Sequence, residues 1–302
     1  MKKIFYVIAL VFLLVANQTF AQSKDDLRRK IEQIASSKKA VVGVSIISND
    51  GKDKISVNGE KHLPMQSVFK FHIGLLMMSE IDKGKFSLDQ KIEIKKDELL
   101  PGLYSPIREK YPEGATLTIA EILEYTVSQS DNVGCDVLLK LLGGPLAVEN
   151  YFVKNKFKDI AIKINEETMQ NNWDLQFRNW TTPEAASKVL QAFFYNKKKY
   201  LSQKSYDFIW RLMRETSTGA NRLKGQLPEG TVVAHKTGFS GTNKQTGVTA
   251  AVNDIGIVFL PNGKHFFISV FVTDSKEDTE ANERLIAEIA KAGWDYFNSK
   301  TN

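Results

Sequence analysis

The spacing of apolar residues changes twice along the chain, from strand-like near the N-terminus to helix-like and back again. Residues 40–48, AVVGVSIIS, are rich in β-branched side chains and predict a strand. TVVAHKTG, VNDIGIVFL and HFFISVFVT predict three more strands, and a turn at residues 261–264 joins the last two as a hairpin. Amphipathic helices are predicted at both ends, with Leu27 on the apolar stripe of the first and Leu285 on that of the last.

The middle of the chain predicts helices. TIAEILEYTVSQSDN opens with Thr118 three residues before Glu121, the spacing of a capping box, and TTPEAASKVLQAFF has Pro183 near its start. Residues 64–78, PMQSVFKFHIGLLMM, are apolar on nearly all sides, which is typical of a buried helix. We therefore predict an α+β fold, in which both chain ends form an antiparallel sheet flanked by helices and residues 65–210 form roughly an all-helical lobe.

The first 21 residues predict a secretory signal peptide. Lys2 and Lys3 precede an apolar run from Ile4 to Val15, and small residues lead to a cleavage site after Ala21. An uncleaved membrane anchor is the alternative, but a membrane span needs about 20 apolar residues. We expect an exported, periplasmic protein that has no membrane segment after cleavage and whose residues 22–302 form a single domain.

Composition narrows the possible functions. Of the 302 residues, 42% are hydrophobic and 25% charged, which suits a globular protein with an ordinary core. The formal charge of +6 becomes +4 without Lys2 and Lys3, and the lysines alternate with acids, so we expect no nucleic-acid partner. Cys135 is the single cysteine, which excludes an internal disulfide. The four histidines have no metal-ligand spacing, so we expect no metal or other cofactor, and we expect a monomer.

A serine and a lysine lie three residues apart in the apolar helix. Ser67 and Lys70 share one face at its first turn, where an amine can accept the proton of a nucleophilic hydroxyl. The pair alone is a weak signal, because Ser36 and Lys39 have the same spacing in a polar stretch. There, a lysine that simply extends into solvent is the better interpretation.

Two further motifs strengthen the signal. Ser130-Asp131-Asn132 follows a predicted helix, and Lys236-Thr237-Gly238 lies in a predicted strand. With these three motifs in this order, the mature chain resembles the serine β-lactamases and penicillin-binding transpeptidases, and specifically the class A β-lactamases. The resemblance implies a substrate groove between the sheet and the helical lobe, and small-molecule β-lactams as substrates.

The resemblance also implies the roles of these residues. Ser67 would attack the lactam carbonyl, and Ser130 would pass a proton to the leaving nitrogen. Either Lys70 or Glu166 would take the proton of the attacking hydroxyl, a choice that the sequence leaves open.

Substrate-binding roles follow in the same way. Lys236, with Thr237 and Gly238 beside it, would attract the substrate carboxylate, and Asn132 would bind the acylamide side chain. The main-chain N–H groups of Ser67 and Phe239 would form the oxyanion hole. Phe239 departs from the small or hydroxylated residue that is more common there.

A long loop is expected to carry the base that activates water. Glu166 fits this role, with Gln170 as a second contact for the water, although the adjacent Glu167 leaves an ordinary exposed acid as the alternative. Ile164 and Asn179 replace the arginine and aspartate whose ion pair commonly closes this loop. The loop therefore resembles the PER-like branch, and we expect a roomier site that accepts bulky oxyimino-cephalosporins.

Two residues complete the expected groove. Arg222 would support the carboxylate site near Lys236, and Tyr104 would form an aromatic wall. A D-Ala-D-Ala carboxypeptidase or transpeptidase and a covalent β-lactam sensor remain the alternative functions. The glutamate at position 166 disfavours the first, and the lack of a predicted transmembrane module disfavours the second.

Overall fold

The computed structural model describes residues 23–300, so the predicted signal peptide at residues 1–21 lies outside the described residues. Strands lie near both ends of this range. The strands are β1 (Val41–Ser48), β2 (Lys54–Val57), β3 (Leu63–Pro64), β4 (Lys91–Lys95), β5 (Gly114–Thr118), β6 (Ile160–Ala161), β7 (Trp180–Thr181), β8 (Val233–Phe239), β9 (Thr249–Phe259) and β10 (His265–Ser275).

The helices lie mainly between β3 and β8. The α-helices are α1 (Lys24–Ser36), α2 (Phe69–Asp82), α3 (Pro106–Lys110), α4 (Ile119–Leu123), α5 (Asn132–Leu142), α6 (Pro145–Lys154), α7 (Glu166–Asn171), α8 (Pro183–Tyr195), α9 (Gln203–Arg214) and α10 (Thr279–Ser299). Short 3₁₀ helices cover Gln66–Val68, Lys96–Glu98 and Trp173–Phe177, and a π-helical turn covers Glu124–Ser128.

The main sheet joins the two ends of the chain. Its five antiparallel strands run in the order β2-β1-β10-β9-β8, and β1 pairs with β10 from Val41 opposite Thr273 to Ser48 opposite Phe266. This confirms the predicted α+β fold. β8 is an edge strand of this sheet, so one of its sides is free to face a groove.

Helices cover both faces of the sheet. Along β10, Phe267 and Phe271 belong to the core shared with the helical lobe, while Phe266 and Val270 belong to a second core with α1 and α10. This alternation follows the two-residue period of a strand whose two faces are both buried. α2 runs through the first core, as the apolar sequence predicted, and its residues from Phe69 to Ser79 are all buried.

Local sequence signals are largely confirmed. The capping box of Thr118 and Glu121 starts α4, and Pro183 lies in the first turn of α8. The two small sheets, β4-β5 and β3-β7-β6, were not anticipated. β3, β6 and β7 have two residues each, too few to show a period, and β4, KIEIK, alternates but has only five residues. Within residues 23–300, no helix is both long enough and apolar enough to cross a membrane.

Candidate active site

The main chain around Ser67 is held against the sheet. Ser67 lies in the short 3₁₀ helix that runs into α2, directly after Gln66, whose φ of 46° is unusual for a residue with a side chain. The Asn253 side chain on β9 donates hydrogen bonds to the carbonyls of Pro64 (2.8 Å) and Met65 (3.2 Å). The hydroxyl of Ser67 is thus presented from a rigid segment. Sequence reasoning missed Asn253, although an asparagine inside an apolar strand is a usable signal.

Lys70 is fully buried, with four oxygen neighbours. Its Nζ lies 2.9 Å from Ser67 Oγ, 2.8 Å from the Ser130 carbonyl and 2.9 Å from Glu166 Oε1, and it also contacts Asn132 Oδ1. A buried ammonium is costly unless it is paired and hydrogen-bonded, and these neighbours supply both conditions. The structure thus brings together the serine, the lysine and the loop glutamate predicted from sequence.

Ser130 links the helical lobe to β8. It has a φ of 64° between the π-helical turn and α5, a sparsely populated conformation that is typical of functional sites. Lys236 Nζ donates to its hydroxyl over 2.9 Å and to the Thr237 carbonyl over 3.0 Å. Two buried lysines therefore bind Ser130, Lys70 at its carbonyl and Lys236 at its hydroxyl.

Burial is the largest influence on Lys236. Together with the nearby Lys70 ammonium, it lowers the pKa of Lys236 well below the ordinary value, while the negative charges of Asp254 and Glu166 raise it. A buried lysine whose pKa is shifted by burial and by neighbouring charges is common in functional sites, including those that bind an anionic substrate.

Asp131 connects the groove wall to the same motif. Its carboxylate caps α5 at Gly134 N (2.8 Å) and accepts from Ser105 Oγ and Ile107 N. The Tyr104 carbonyl accepts from Asn132 N over 3.0 Å, and the Tyr104 side chain is 53% exposed. An exposed aromatic is thus held beside Asn132.

The segment that begins with Glu166 is held by an acid that sequence reasoning missed. Asp136 accepts from the main-chain N–H of Glu166 (2.8 Å) and of Glu167 (2.9 Å), and from the side chain of Asn165 (3.1 Å). Burial raises the pKa of Asp136 to about 6. An acid within the apolar run of α5 was the available signal.

Asn179 closes the base of the loop without an ion pair. Its side chain donates to the Ile164 carbonyl (2.8 Å) and accepts from the N–H groups of Lys163 (2.7 Å) and Ile164 (3.1 Å). The predicted loss of the ion pair therefore leaves a neutral hydrogen-bonded clamp. Gln170, further along the loop, is exposed and donates to the Gly102 carbonyl over 2.6 Å, so its contact with a catalytic water stays a prediction.

β8 forms the opposite wall of the site. A Cβ on Gly238 would lie 2.5 Å from the Met65 carbonyl oxygen, so glycine allows β8 to pack close to the segment that carries Ser67. The Thr237 hydroxyl pairs with that of Thr218 at 2.6 Å. Phe239 is 44% exposed, and its ring lies 5.8 Å from the Arg222 guanidinium.

Arg222 is buried and held by main-chain and side-chain partners. Its Nη1 donates to the carbonyls of Gly238 and Asn253, both at 3.0 Å, and its Nε lies 3.0 Å from Glu283 Oε1. Arg222 therefore adjoins β8, and its direct contact with a substrate carboxylate stays a prediction. In the described part of the chain, no group of three or more His, Cys, Asp or Glu side chains could hold a metal ion.

This geometry defines a class of enzyme. A hydroxyl beside a buried ammonium and a carboxylate, where the edge strand of a sheet meets a helical lobe, is the arrangement of a serine hydrolase that forms an acyl-enzyme. The sequence pattern of the Beta-lactamase enzyme family matches residues 26–297.

Three known proteins are similar over nearly the whole chain. β-Lactamase VEB-1 of Pseudomonas aeruginosa is 54% identical over 276 residues, which cover 91% of this chain and 92% of that protein. Extended-spectrum β-lactamase PER-1 of Pseudomonas aeruginosa is 39% identical over 293 residues, 96% of this chain and 94% of that protein. The crystal structure of TLA-1 extended-spectrum β-lactamase is 50% identical with a TM-score of 0.88, covering 91% of this chain and 99% of that one.

The chain belongs to the β-lactamase enzyme family, and it is a class A serine β-lactamase. It hydrolyses the cyclic amide of β-lactams, an activity that gives antibiotic resistance. Family membership supports this function over the carboxypeptidase, transpeptidase and sensor alternatives.

Proposed function

We propose that this protein is an exported, extended-spectrum β-lactamase that works through an acyl-enzyme on Ser67 and a water activated by Glu166. One observation carries the catalytic part of the proposal: the Lys70 ammonium lies 2.9 Å from both the Ser67 hydroxyl and a Glu166 carboxylate oxygen.

Acylation begins with the proton of Ser67. All four neighbours of Lys70 Nζ can accept a hydrogen bond, which favours a charged ammonium in the resting enzyme. The Glu166 carboxylate lies 3.5 Å from Ser67 Oγ and is then the base that takes the serine proton. Ser67 Oγ bonds to the lactam carbonyl carbon, and the N–H groups of Ser67 and Phe239 stabilise the oxyanion.

Ring opening requires a proton at the lactam nitrogen. Ser130 donates it as the C–N bond breaks, and Lys236, which donates a hydrogen bond to Ser130 Oγ, stabilises the transient alkoxide. The proton that Glu166 took from Ser67 then passes by way of Lys70 to Ser130 Oγ, which restores both the Ser130 hydroxyl and the Glu166 carboxylate. Lys236, Thr237, Gly238 and Arg222 favour a carboxylate on this side of the groove.

Deacylation uses the same carboxylate. Glu166 accepts a proton from a water whose oxygen bonds to the ester carbonyl carbon, and the same proton then passes to Ser67 Oγ as the ester C–O bond breaks. We assign Asn132 to the acylamide of the substrate, Tyr104 to the groove wall, and Gln170 to the water.

The catalytic proposal is tested with Glu166→Ala and a matched control, Glu167→Ala. With a chromogenic cephalosporin, we expect sustained turnover by the wild type and by Glu167→Ala, whose exposed side chain has no proposed role. Without the carboxylate, the buried Lys70 amine can take the serine proton, but no base remains for the water. Glu166→Ala should therefore acylate more slowly than the wild type and stop after one stoichiometric burst, with an acyl adduct on Ser67 by mass spectrometry. Sustained turnover by Glu166→Ala would refute the role of Glu166.

The extended spectrum is tested by substrate comparison. The names of PER-1 and TLA-1 describe those proteins as extended-spectrum enzymes, and the neutral Asn179 clamp in place of an ion pair supports the same breadth here. We expect the purified protein to hydrolyse both benzylpenicillin and cefotaxime. Turnover of benzylpenicillin without hydrolysis of cefotaxime would contradict this part alone.

Export and monomeric state are the remaining parts of the proposal. The apolar N-terminal run supports signal cleavage after Ala21, which leaves residues 22–302 as a single catalytic domain in the periplasm. Mass spectrometry of the periplasmic fraction should find a chain that begins at Gln22. Light scattering should give the mass of one chain, and a dimer mass would contradict the monomer.

A further inference from the structure

A histidine and an aspartate lie buried behind the strand that carries Lys236. His235 Nδ1 lies 3.0 and 2.9 Å from the two carboxylate oxygens of Asp254, and both side chains are fully buried. Because successive strand residues point to opposite faces, the His235 side chain lies on the other face of β8 from that of Lys236. Neither residue has a role in the steps proposed above.

A glycine in the neighbouring strand β9 leaves space beside His235. Gly256 lies opposite His235 in the β8–β9 register, and a Cβ on Gly256 would lie 2.8 Å from the Cβ of His235. It would also lie 2.6 Å from the Ala234 carbonyl oxygen, so a larger residue at this position would collide with the main chain of β8. Glycine therefore lets β9 pack closely against β8 beside His235.

The hydrogen bonds that His235 and Asp254 can make indicate which of them carries the proton. An ionised carboxylate only accepts, so His235 donates from Nδ1. Its Nε2 is buried and has no hydrogen-bond partner in the part of the chain that the structure describes. An imidazolium would bury an unpaired N–H there, which costs free energy. The imidazole is therefore neutral, and Asp254 keeps a full negative charge.

Asp254 holds the turn that carries Arg222. The main-chain N–H of Leu223 donates to Asp254 Oδ2 over 3.3 Å, and Thr216 Oγ1, at the other end of this segment, donates to the His235 carbonyl over 2.6 Å. The histidine-aspartate pair and its strand thus anchor both ends of residues 216–223.

Most of the charges near Lys236 are already paired. The charged groups that influence it come from four elements: Lys70 on α2, Glu166 on α7, Arg222 on the 216–223 segment and Asp254 on β9. Glu166 is paired with Lys70, and Arg222 is paired with Glu283 on α10. The partner of Asp254 is the neutral His235. The negative charge of Asp254 therefore remains to compensate the positive charge of Lys236.

We propose that Asp254, oriented by His235, is a positioning residue for the carboxylate-binding site: it anchors the turn that carries Arg222, and its charge stabilises the ammonium of Lys236. The inference rests on the proposed role of Lys236 in binding the substrate carboxylate.

The first test is Asp254→Asn, which keeps the shape and removes the charge. Without this anion the Lys236 ammonium loses its proton at lower pH, so the basic limb of the kcat/KM profile should move down by about one pH unit. KM should rise about tenfold, with a smaller change in kcat, because substrate binding is weakened. An unchanged basic limb with only a lower melting temperature would overturn the proposal.

Asp82→Asn is the matched control for loss of a structural carboxylate. Asp82 accepts from Ser202 and Ser205 at the far end of α2, roughly 20 Å from Ser67 by helix length. This variant should lower stability without moving the basic limb. A comparable pH shift in Asp82→Asn would show that the effect is not specific to Asp254.

Two variants of His235 keep the proposal testable if Asp254→Asn does not fold. His235→Asn retains an N–H donor for the carboxylate, whereas His235→Leu removes it. We expect a raised KM in His235→Leu and near wild-type KM in His235→Asn. Equal KM values in wild type and His235→Leu would overturn the orienting role.

The wild-type protein provides a third test. Nitrogen-15 NMR under the conditions of the activity assay should show His235 as the neutral Nδ1–H tautomer, and an imidazolium would overturn the proposal because the pair would then carry no net charge. Lys236→Ala tests the parent assignment separately. If Lys236→Ala retains wild-type KM, the carboxylate site itself is misplaced; if it loses binding while Asp254→Asn is unaffected, only this inference fails.

Discussion

Lys70 is stable in the core because of its neighbours. The alternative pair with the same spacing, Ser36 and Lys39, lies exposed near the end of α1. At that position a lysine has water as its partner, whereas Lys70 has oxygens from Ser67, Ser130 and two other residues. The difference between a reactive pair and an ordinary one therefore depends on burial and partners.

Asp136 is the residue whose contribution is easiest to isolate. The N–H of Glu166 binds Asp136 Oδ1 and the N–H of Glu167 binds Oδ2, so in Asp136→Asn, where one oxygen becomes an NH₂ donor, one of these two N–H groups loses its acceptor. We expect the loop to loosen, kcat to fall by roughly tenfold or more, and an acyl-enzyme to accumulate. Stopped-flow kinetics and hydrogen exchange of these two amides measure the effect.

Glu149→Gln is the control for the Asp136 prediction. Glu149 accepts from Ile162 N over 2.9 Å on the same loop, and its amide can still accept that bond. This variant should keep its kcat. If Asp136→Asn also kept wild-type kcat and amide protection, the acceptor role of Asp136 would be incorrect.

At the scale of elements, α2 combines a catalytic end with a purely structural body. His72 lies five residues after Ser67. It is buried, and the centroid of its ring lies 4.9 Å from that of Phe152. Burial lowers the pKa of His72 to about 4. The neutral imidazole therefore behaves as a core side chain at neutral pH.

The depressed pKa of His72 predicts a loss of stability in acid. The unfolded chain binds this proton near pH 6.5 and the folded protein only near pH 4, so unfolding becomes easier as pH falls between these values. The loss attributable to His72 is about 3 kcal/mol, from the size of the shift. Urea unfolding at pH 7 and pH 4 should show a shallower pH dependence in His72→Leu.

His62 offers a contrasting histidine for this measurement. It is exposed and stacks on Trp180, with ring centroids 3.6 Å apart. His62→Leu should leave the pH dependence of unfolding close to that of the wild type. An identical pH dependence in His72→Leu and the wild type would show that burial of His72 does not govern acid stability.

At the scale of the whole molecule, the sheet and the helical lobe share one apolar core. The cluster around α2 contains Trp210 from α9 together with Ile255 and Phe267 from the sheet. Because these contacts would be lost together, we predict that the mature chain unfolds in a single cooperative step. Far-UV circular dichroism and tryptophan fluorescence should give coincident urea curves. Two separated transitions would mean that residues 65–210 are an independent unit.

The sequence by itself determined the strands of the main sheet, the main helices and the class of reaction at the site. Period-two apolar runs give strands such as β1, an apolar helix gives α2, and capping signals define the start of α4, because these patterns depend on neighbours a few residues apart. The three motifs also carry enough residue-type information to indicate the acyl-serine reaction class. These features depend on residues that are close together in the sequence, so they can be predicted without the tertiary structure.

Only the tertiary structure decided how the distant groups meet. Glu166 is 96 residues from Lys70, and its position depends on Asp136 and on a loop that has no periodic pattern. The hydrogen bonds of Asn179 and of Arg222 to main-chain carbonyls are likewise invisible in the sequence. Such contacts exist only after the apolar core has brought separate segments together, because a single hydrogen bond is too weak to specify where a loop lies before the core forms.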